Sequence, residues 1–403
     1  MATPVNRQRV GPLQIAALSV GLTVGYLAGD LLPEVVNALQ ADLGMSDSMA
    51  GSLTTALLLA TALTGLVFAR RAGRPGRARF ALAGALVSGA GFASAAFAPT
   101  TGVLIAGFVV AGVGSGVVLA SATAAISTAP DPERASGLAI LVNTFVGAML
   151  LTVLPRITGT QATATFLFLA LICLLVLPLF RWLPDAATPE SESRAEDAPL
   201  PTPALGIVIF LGALILDLTD NGLWAFVGTI VMDNVGLSSA DLGTILAVAT
   251  IAGLAGAALP IIVGDRWGLF LPIIVMVGID ALAKILVVVV SQPVAYIVCQ
   301  FLWTGSYAVL FAYLLAVGAA LDSLGRWAAI VGSAFAMGDA IGPIVFGFTN
   351  DLGGTGSLIG LVVISSIAVA LLLGPATLTL DRRRKAGRSP VDPADVGADA
   401  LDP

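Results

Sequence analysis

Twelve long apolar segments follow one another along the sequence, and they constrain the fold more than any other feature. A helix needs about 20 apolar residues to cross the roughly 30 Å hydrocarbon layer of a bilayer. Continuous segments of this kind favour helices over the alternating strands of a membrane β-barrel. The sequence therefore predicts an all-α polytopic membrane protein in a lipid bilayer. Its twelve spans lie at roughly 12–37, 49–69, 80–98, 101–127, 135–157, 162–182, 204–231, 240–263, 269–290, 293–320, 327–350 and 356–379.

Composition excludes several other classes of protein. Only 11% of the residues are charged and 57% are hydrophobic, which leaves too little charge for a soluble surface and too much apolar area for disorder. Histidine is absent and both cysteines lie inside apolar segments, so we expect neither a disulfide framework nor a metal or cofactor. No phosphate-loop motif occurs. With no nucleophile–base arrangement either, the sequence favours neither an enzyme nor an ATP-driven pump.

The basic residues predict the orientation of the spans. If the N-terminus lies in the cytoplasm, all but two of the 19 Lys and Arg residues fall in cytoplasmic segments. The exceptions are Arg156 and Lys284. This positive-inside bias predicts a multi-pass protein of the cell inner (plasma) membrane with both termini in the cytoplasm. Topology thus explains the arginine clusters, and we expect no nucleic-acid partner.

A polar stretch over 183–203 divides the spans into two sets of six. We predict an N-terminal six-helix bundle at 1–182, a cytoplasmic linker at 183–203, a C-terminal six-helix bundle at 204–380 and a disordered cytoplasmic tail at 381–403. The linker and the tail collect acidic residues and proline, a composition typical of solvated segments.

The two halves repeat one another. At an offset of 192 residues, 43–46 with Gly51 matches 235–238 with Gly243, and Arg134 matches Arg326. At an offset of 195, residues 71–73 match 266–268. Two parallel six-helix repeats imply a pseudo-two-fold axis along the membrane normal, which is an architecture of secondary transporters.

Short motifs within this layout resemble those of the major facilitator superfamily, and the resemblance covers nearly the whole chain. The family's loop motif Gly-x-x-x-Asp-Arg-x-Gly-Arg is matched by Arg71, Gly73 and Arg74, with Arg70 in place of the acid and Leu66 in place of the first glycine. The second half keeps Asp265-Arg266-Trp267-Gly268. Span 4 keeps the glycines of Arg-x-x-x-Gly-x-Gly at Gly112 and Gly114, with Phe108 in place of the arginine. The stretch 338–343 in span 11 looks like the counterpart of the family's Gly-Pro antiporter motif, and 30–33 looks like the acid and Leu-Pro of drug/proton antiporters.

The resemblance implies two pseudo-symmetric six-helix bundles that work by alternating access, with spans 1, 4, 7 and 10 lining a central cavity. It also implies a gate that latches the cytoplasmic helix ends, formed by Arg71, Gly73, Arg74, Asp265 and Arg266. We expect the chain to act as a monomer.

Three of these four spans carry a polar stripe at helical spacing. In span 1 the stripe includes Ser19, Thr23, Tyr26, Asp30, Glu34 and Asn37. These positions fall within an arc of roughly 80° on a helix, so we expect one long helix over 12–37. Span 7 carries Asp217, Asp220, Asn221 and Trp224, and span 10 carries Tyr296, Gln300, Trp303 and Tyr307.

The acids in these spans are the candidates for proton coupling. An ionised carboxylate in hydrocarbon costs several kcal/mol, so such residues mark substrate or ion routes. The candidates are Asp30, Glu34, Asp217, Asp220 and Asp339. The alternative is that they hold helices together or lie at a solvated mouth. Asp339 could instead cap a helix broken near Pro343, and the i,i+4 spacing of Asp280 and Lys284 predicts a structural ion pair in span 9.

Aromatic and amide side chains on the cavity faces would suit a flat, largely apolar substrate. The substrate-binding candidates are Tyr26, Asp30, Asn143, Asn221, Trp224, Gln300, Trp303 and Tyr307. Packing and interface anchoring are the alternative roles for the aromatic residues.

The sequence therefore favours a proton-coupled secondary transporter that exports a small amphipathic or aromatic compound. Import of an aromatic or organic acid with protons is the alternative within this class. A lipid scramblase and a non-transporting membrane sensor are the alternatives outside it.

Overall fold

The computed structural model describes residues 11–72, 74–129, 131–185, 200, 202–263, 267–322 and 326–386. Regular structure in these residues is helical throughout, with no strand among them. The helices are α1 Pro12–Asp30, α2 Leu32–Ala41, α3 Asp47–Ala72, α4 Arg77–Ala96, α5 Thr101–Ser127, α6 Pro132–Thr158, α7 Ala162–Leu175, a 3-10 helix Leu177–Trp182, α8 Pro203–Val235, α9 Ser239–Ala257, α10 Leu259–Val263, α11 Phe270–Val289, α12 Pro293–Leu321 and α13 Arg326–Lys385.

The expectation of one helix over 12–37 is wrong, because the chain leaves helical geometry at Leu31. Its φ of −104° and ψ of 19° separate α1 from α2. Pro33 accounts for the break, since its ring lacks an N–H group and collides with the carbonyl four residues earlier. Asp30 is therefore the last residue of α1, while Glu34 and Asn37 belong to α2.

Eleven helices in the described residues are long and apolar enough to cross a membrane. The last, α13, has 60 residues and would be about 90 Å long if it were straight. It departs from helical geometry at Gly353 and at Gly354, whose φ is 60°. This break divides α13 into the eleventh and twelfth predicted spans. Pro343 lies within regular helix, so the alternative of a break there with Asp339 as its cap is wrong.

The chain forms two compact units. The first contains Met1–Glu190, Trp224–Ile251 and Pro343–Asp351. The second contains Ser191–Leu223, Ala252–Gly342 and Leu352–Pro403. Helices α8, α9 and α13 contribute to both units.

Glycines allow α5 to pack closely on two neighbours in the first unit. Gly112 and Gly116 lie against the backbone carbonyls of Leu57 and Thr61 in α3. Gly114 lies against the backbone of Ser88 in α4. The stretch Gly112-x-Gly114-x-Gly116 therefore allows close helix contact, as small residues do between membrane helices.

The sequence repeat is also a repeat of contacts within the first unit. Gly51 of α3 lies against the carbonyl of Pro343, and Gly243 of α9 lies against the carbonyl of Leu151. Pro343 and Leu151 are themselves 192 residues apart. The two halves therefore use equivalent helices and equivalent glycines for equivalent crossings.

Each unit also contains one member of a second repeated contact, a carboxylate at a helix start. In the first unit, Asp185 Oδ1 accepts from the backbone N–H of Gly76 at 2.7 Å and of Arg77 at 2.9 Å. In the second, Asp381 accepts from the N–H groups that open α11, at 2.9 and 3.0 Å. Acids at helix N-termini satisfy orphan donors and complement the helix dipole.

Substitution of Gly114 by Ala tests the close packing of α5. The added Cβ would collide with the Ser88 amide and the Gly84 carbonyl, which are backbone atoms that cannot rotate away. We expect a loss of about 1–3 kcal/mol of stability. Thermal unfolding of the purified protein measures it.

Gly137→Ala is the matched control, because a Cβ at this exposed helical position meets no atom within 4 Å. Its melting temperature should stay the same or rise, since alanine favours helix over glycine. Equal melting temperatures for the two variants would contradict the packing described for α5.

Candidate functional site

In the first unit, Asp30 lies where α1 meets α6. The side chain is half-buried, and a Cβ built on Gly147 would lie 3.3 Å from Asp30 Oδ2. The Asp30 carboxyl group therefore lies close to the backbone of Gly147. The predicted proton-coupling acid of span 1 is therefore held at a contact between two helices.

The break after Asp30 creates a partner for Trp224. Because Pro33 has no N–H, the carbonyl of Gly29 lacks its helical donor. The indole Nε1 of Trp224 donates to that carbonyl at 3.3 Å. Trp224 is thus tied by its polar edge to the backbone beside Asp30.

The polar side chains of α2 are buried, although a position at a solvated mouth was one alternative for Glu34. Glu34 is 4% exposed and Asn37 is 3% exposed. Asn37 Oδ1 has no hydrogen-bond partner in the described part of the chain. On α6, the half-buried Asn143 also has an Oδ1 without a partner there. Tyr26 is 44% exposed.

The second unit brings four acids and one ammonium group together inside the protein. Lys284 Nζ lies 2.6 Å from Asp220 Oδ2 and 2.7 Å from Asp280 Oδ2. Lys284 also donates to Thr219 Oγ1 at 3.3 Å. Lys284, Asp280 and Asp220 are 0%, 1% and 4% exposed, so the pair predicted within span 9 is confirmed and extends to span 7.

Two aromatic residues of α12 hold the acids of α8. Trp303 Nε1 donates to Asp220 Oδ1 at 2.6 Å, and the Tyr307 hydroxyl donates to Asp217 Oδ1 at 2.6 Å. The aromatic stripe and the acidic stripe, which are separate features of the sequence, therefore form one hydrogen-bonded group.

Asp217 and Asp339 form the other part of this group. Gly338 packs α13 directly on α8, and a Cβ built there would lie 2.8 Å from Asp217 Oδ2. The close approach brings the two carboxyl groups into electrostatic contact, and Asn221 hydrogen-bonds Asp339. Asp217 is fully buried and its Oδ2 has no hydrogen-bond partner among the described residues.

Gln300 uses both ends of its amide within α12. The Tyr296 hydroxyl donates to Oε1 at 3.1 Å, and Nε2 donates to Thr304 Oγ1 at 3.2 Å. The side chain is fully buried. Its hydrogen bonds are thus satisfied by its own helix.

The charge of the second unit's cluster is unbalanced. The cluster contains four acids, Asp217, Asp220, Asp280 and Asp339, and one ammonium group, that of Lys284, which pairs with Asp220 and Asp280. Buried charges are tolerated when they are paired, and unpaired ones cost several kcal/mol each. The arrangement is therefore suited to holding protons. No group of three or more His, Cys, Asp or Glu in the described residues could hold a metal ion.

The predicted cytoplasmic gate is only partly within the described residues. Arg71 is exposed and its guanidinium lies 4.4 Å from the centre of the Phe80 ring. The N–H of Arg74 donates to the Arg71 carbonyl at 3.1 Å. Gly73, Asp265 and Arg266 lie outside the described residues.

Two basic residues have contacts that the sequence did not reveal. Lys284 was recognised only as half of a local pair. Arg77 is fully buried at the start of α4, where its Nε donates to the Ala72 carbonyl at 2.6 Å and Nη1 to Thr128 Oγ1 at 2.8 Å. Neither partner of Arg77 is marked by spacing or residue type.

Comparisons with known proteins agree with this architecture. The family model described as Major Facilitator Superfamily matches residues 15–321. No curated protein sequence matches the chain. Among solved structures, a bacterial homologue of the human lysosomal transporter Spinster, inward-facing and unoccupied, has a TM-score of 0.71 at 15% identity, covering 96% of this chain and 99% of the homologue.

Two other transporters are similar. The inward-open xylose transporter XylE from E. coli has a TM-score of 0.71 at 13% identity and covers 91% of this chain and 96% of its own. A mutant form of the nucleoside transporter NupG has a TM-score of 0.72 at 14% identity, and the match covers 90% of this chain and 98% of NupG. These likenesses show the fold, and the family model extends over most of the sequence. The chain belongs to the Major Facilitator Superfamily.

Proposed function

We propose that this secondary transporter exports a small amphipathic or aromatic compound in exchange for protons, by alternating access. The observation that carries the proposal is the buried excess of acid over base in the second unit. Four buried carboxyl groups lie in one cluster with one ammonium group, which pairs with two of them, so neutrality at this place requires protons or a cationic ligand. We assign proton coupling to Asp30 and Glu34 as well.

The hydrogen-bond pattern favours export over import of an organic acid. An ammonium group has three N–H donors. Those of Lys284 are directed at Asp220, Asp280 and Thr219, which leaves no donor for a substrate carboxylate. Repulsion from the surrounding acids would weaken binding of an anion further.

Aromatic side chains supply the proposed contacts with substrate. We assign stacking on an apolar ring to Tyr26, which is 44% exposed, and to Trp224 and Trp303, whose indole N–H groups are held by hydrogen bonds. Tyr307, Asn143, Asn221 and Gln300 complete the proposed binding set. The gate remains assigned to Arg71, Gly73, Arg74, Asp265 and Arg266.

Contacts inside the first unit support alternating access. Asn350 Nδ2 donates to Asp47 Oδ2 at 2.6 Å, and the Ser48 N–H donates to Asp351 Oδ2 at 2.9 Å. The positive-inside bias predicts that these residues lie at the outer surface of the cell inner (plasma) membrane, with both termini in the cytoplasm. In the proposed cycle of a monomer, the bundles at 1–182 and 204–380 separate these groups when the outer side opens.

Transport in sealed proteoliposomes tests the proposal directly. With an acidic lumen, ethidium as an aromatic cation should accumulate inside while protons leave, because each compound moved is exchanged for protons. Collapse of the pH gradient with nigericin should abolish accumulation.

Two other outcomes identify the alternatives. If benzoate enters with protons under an acidic exterior and ethidium does not move, the chain is an importer of organic acids. Exchange of fluorescent lipid between leaflets without any effect of the pH gradient would identify a scramblase. If none of these probes is transported, with or without a gradient, the proposal is contradicted and the non-transporting membrane sensor is the remaining alternative.

Neutralisation of Asp217 should uncouple transport. Asp217→Asn keeps the size of the side chain but removes its titrating proton, so proton-driven ethidium accumulation should fall at least tenfold. Asp30→Asn should also reduce it. Asp233→Asn, at an exposed position on the same helix as Asp217, is the matched control and should keep wild-type accumulation. Equal activity of all three variants would refute the assignment of these acids.

A reversible cross-link between α3 and α13 should stop the cycle. Ser48→Cys/Asp351→Cys places two thiols at a contact where the Ser48 backbone nitrogen lies 2.9 Å from Asp351 Oδ2. Both native cysteines are buried, so oxidation should act mainly on the introduced pair. We expect oxidised protein to lose transport and reductant to restore it, whereas each single Cys variant should be unaffected by oxidation. Full transport by the cross-linked protein would exclude opening at this contact.

A further inference from the structure

We infer that Lys284 sets the proton occupancy of the pair Asp220 and Asp280, so that this pair takes up one proton and gives it back to water. The inference rests on the proposed function, because it assigns a proton site within it. Lys284 acts as a positioning residue, through its charge, and has no contact with substrate in this scheme.

The distances make Lys284 a shared counter-ion. Its Nζ is 2.6 Å from Asp220 Oδ2 and 2.7 Å from Asp280 Oδ2, so neither acid has the ammonium group to itself. The three groups come from α8 and α11. All are buried, and screening by water is therefore weak.

Charge accounting then gives the proton number. With both acids ionised, the three groups carry a net charge of −1. One proton from water on Asp220 brings the sum to zero, and the ammonium group stays paired with Asp280. A second proton would leave a buried positive charge without a partner, which is unfavourable. Release of the first proton returns Lys284 to both carboxylates, and no other species is consumed.

Asp220 is the acid that exchanges the proton, because Asp217 lies three residues earlier on the same helix and its carboxyl group repels ionised Asp220. Trp303 Nε1 donates to Asp220 Oδ1 at 2.6 Å, while the second oxygen of Asp280 is 3.4 Å from Ser306 Oγ. The indole can donate to a carboxylate or to the carbonyl oxygen of the protonated acid.

Other titratable groups face this site and enter its electrostatics. They are Asp217 on α8, Tyr307 on α12 and Asp339 on α13, with Asp280 on α11 beside Lys284 itself. Each of these groups becomes negatively charged when it loses its proton. Lys284 is thus the one described cation in the set, and its charge sets the balance.

Trp303 also provides a reporter that needs no substrate. Protonation of Asp220 changes the charge 2.6 Å from the indole nitrogen, so the tryptophan fluorescence of the purified full chain should titrate with pH. Trp303→Phe should lose this titration while the other tryptophans remain. The absence of any Trp303-dependent titration between pH 4 and pH 10 would overturn the inference.

Two substitutions should move the midpoint in opposite directions. Lys284→Met removes the positive charge that favours ionised Asp220, so the midpoint should move to higher pH. Asp280→Asn leaves Lys284 to Asp220 alone, which favours the ionised acid and should move the midpoint to lower pH. Charges at this distance shift titrations by about 1–3 pH units. If Lys284 only joins helices, neither substitution is expected to shift the fluorescence midpoint in a particular direction. Midpoints that are equal in the two variants, or unchanged from the wild type, would overturn the inference.

Further variants separate charge from folding. Lys284→Arg keeps the cation and should stay near the wild-type midpoint. Lys284→Met/Asp280→Asn removes one charge of each sign, which avoids an unpaired buried aspartate and should restore the melting temperature. Its midpoint should lie between those of the two single variants, because the two losses of charge act on Asp220 in opposite directions. A midpoint outside the range set by the two single variants would overturn the inference.

Failure of this inference is distinct from failure of the proposed transport. If the midpoints move as expected but ethidium accumulation does not depend on the pH gradient, the proton site exists and the coupling is wrong. If accumulation is proton-driven but the midpoints are unmoved, coupling resides in another acid, such as Asp217 or Asp30.

Discussion

A carboxylate inside a membrane protein requires a compensating charge or a proton, and the second unit of this protein depends on that requirement. Lys284 compensates one of two adjacent acids, and the hydroxyl and indole donors of Tyr307 and Trp303 stabilise the others. Asp217 and Asp339 approach each other because Gly338 lets α13 touch α8. Close packing, hydrogen bonding and charge are thus combined at one place, and the same residues that join the helices also create a site that a proton can occupy.

Glycine contacts give the scaffold around this site its shape. Gly112, Gly114 and Gly116 let α5 lie against α3 and α4, and Gly51 and Gly243 form matching crossings in the two halves of the sequence. Backbone-to-backbone contacts of this kind have little freedom to adjust, because no flexible side chain separates the helices. Movement in the proposed cycle is therefore expected to be of whole helices.

Much of the architecture could be predicted from the sequence, because hydropathy and the repeat are local or periodic signals. The spans, the all-α fold and the pairing of Asp280 with Lys284 were all found in this way. Contacts between distant spans could not be predicted, because periodicity identifies the face of a helix but not the helix that packs against it. Lys284 and Asp220 are 64 residues apart. The polar stripe also concealed the break at Leu31, although Pro33 signalled it, because helical spacing continues across a short interruption.

The assignment of the acids to proton exchange is tested most directly by infrared difference spectroscopy of the reconstituted protein between high and low pH. The account predicts that carboxylic acid C=O bands of buried groups appear as the pH falls, and that separate parts of the signal are lost in Asp217→Asn and in Asp220→Asn. A spectrum in which neither substitution removes any titrating band would contradict the account, because the acids would then be fixed structural groups.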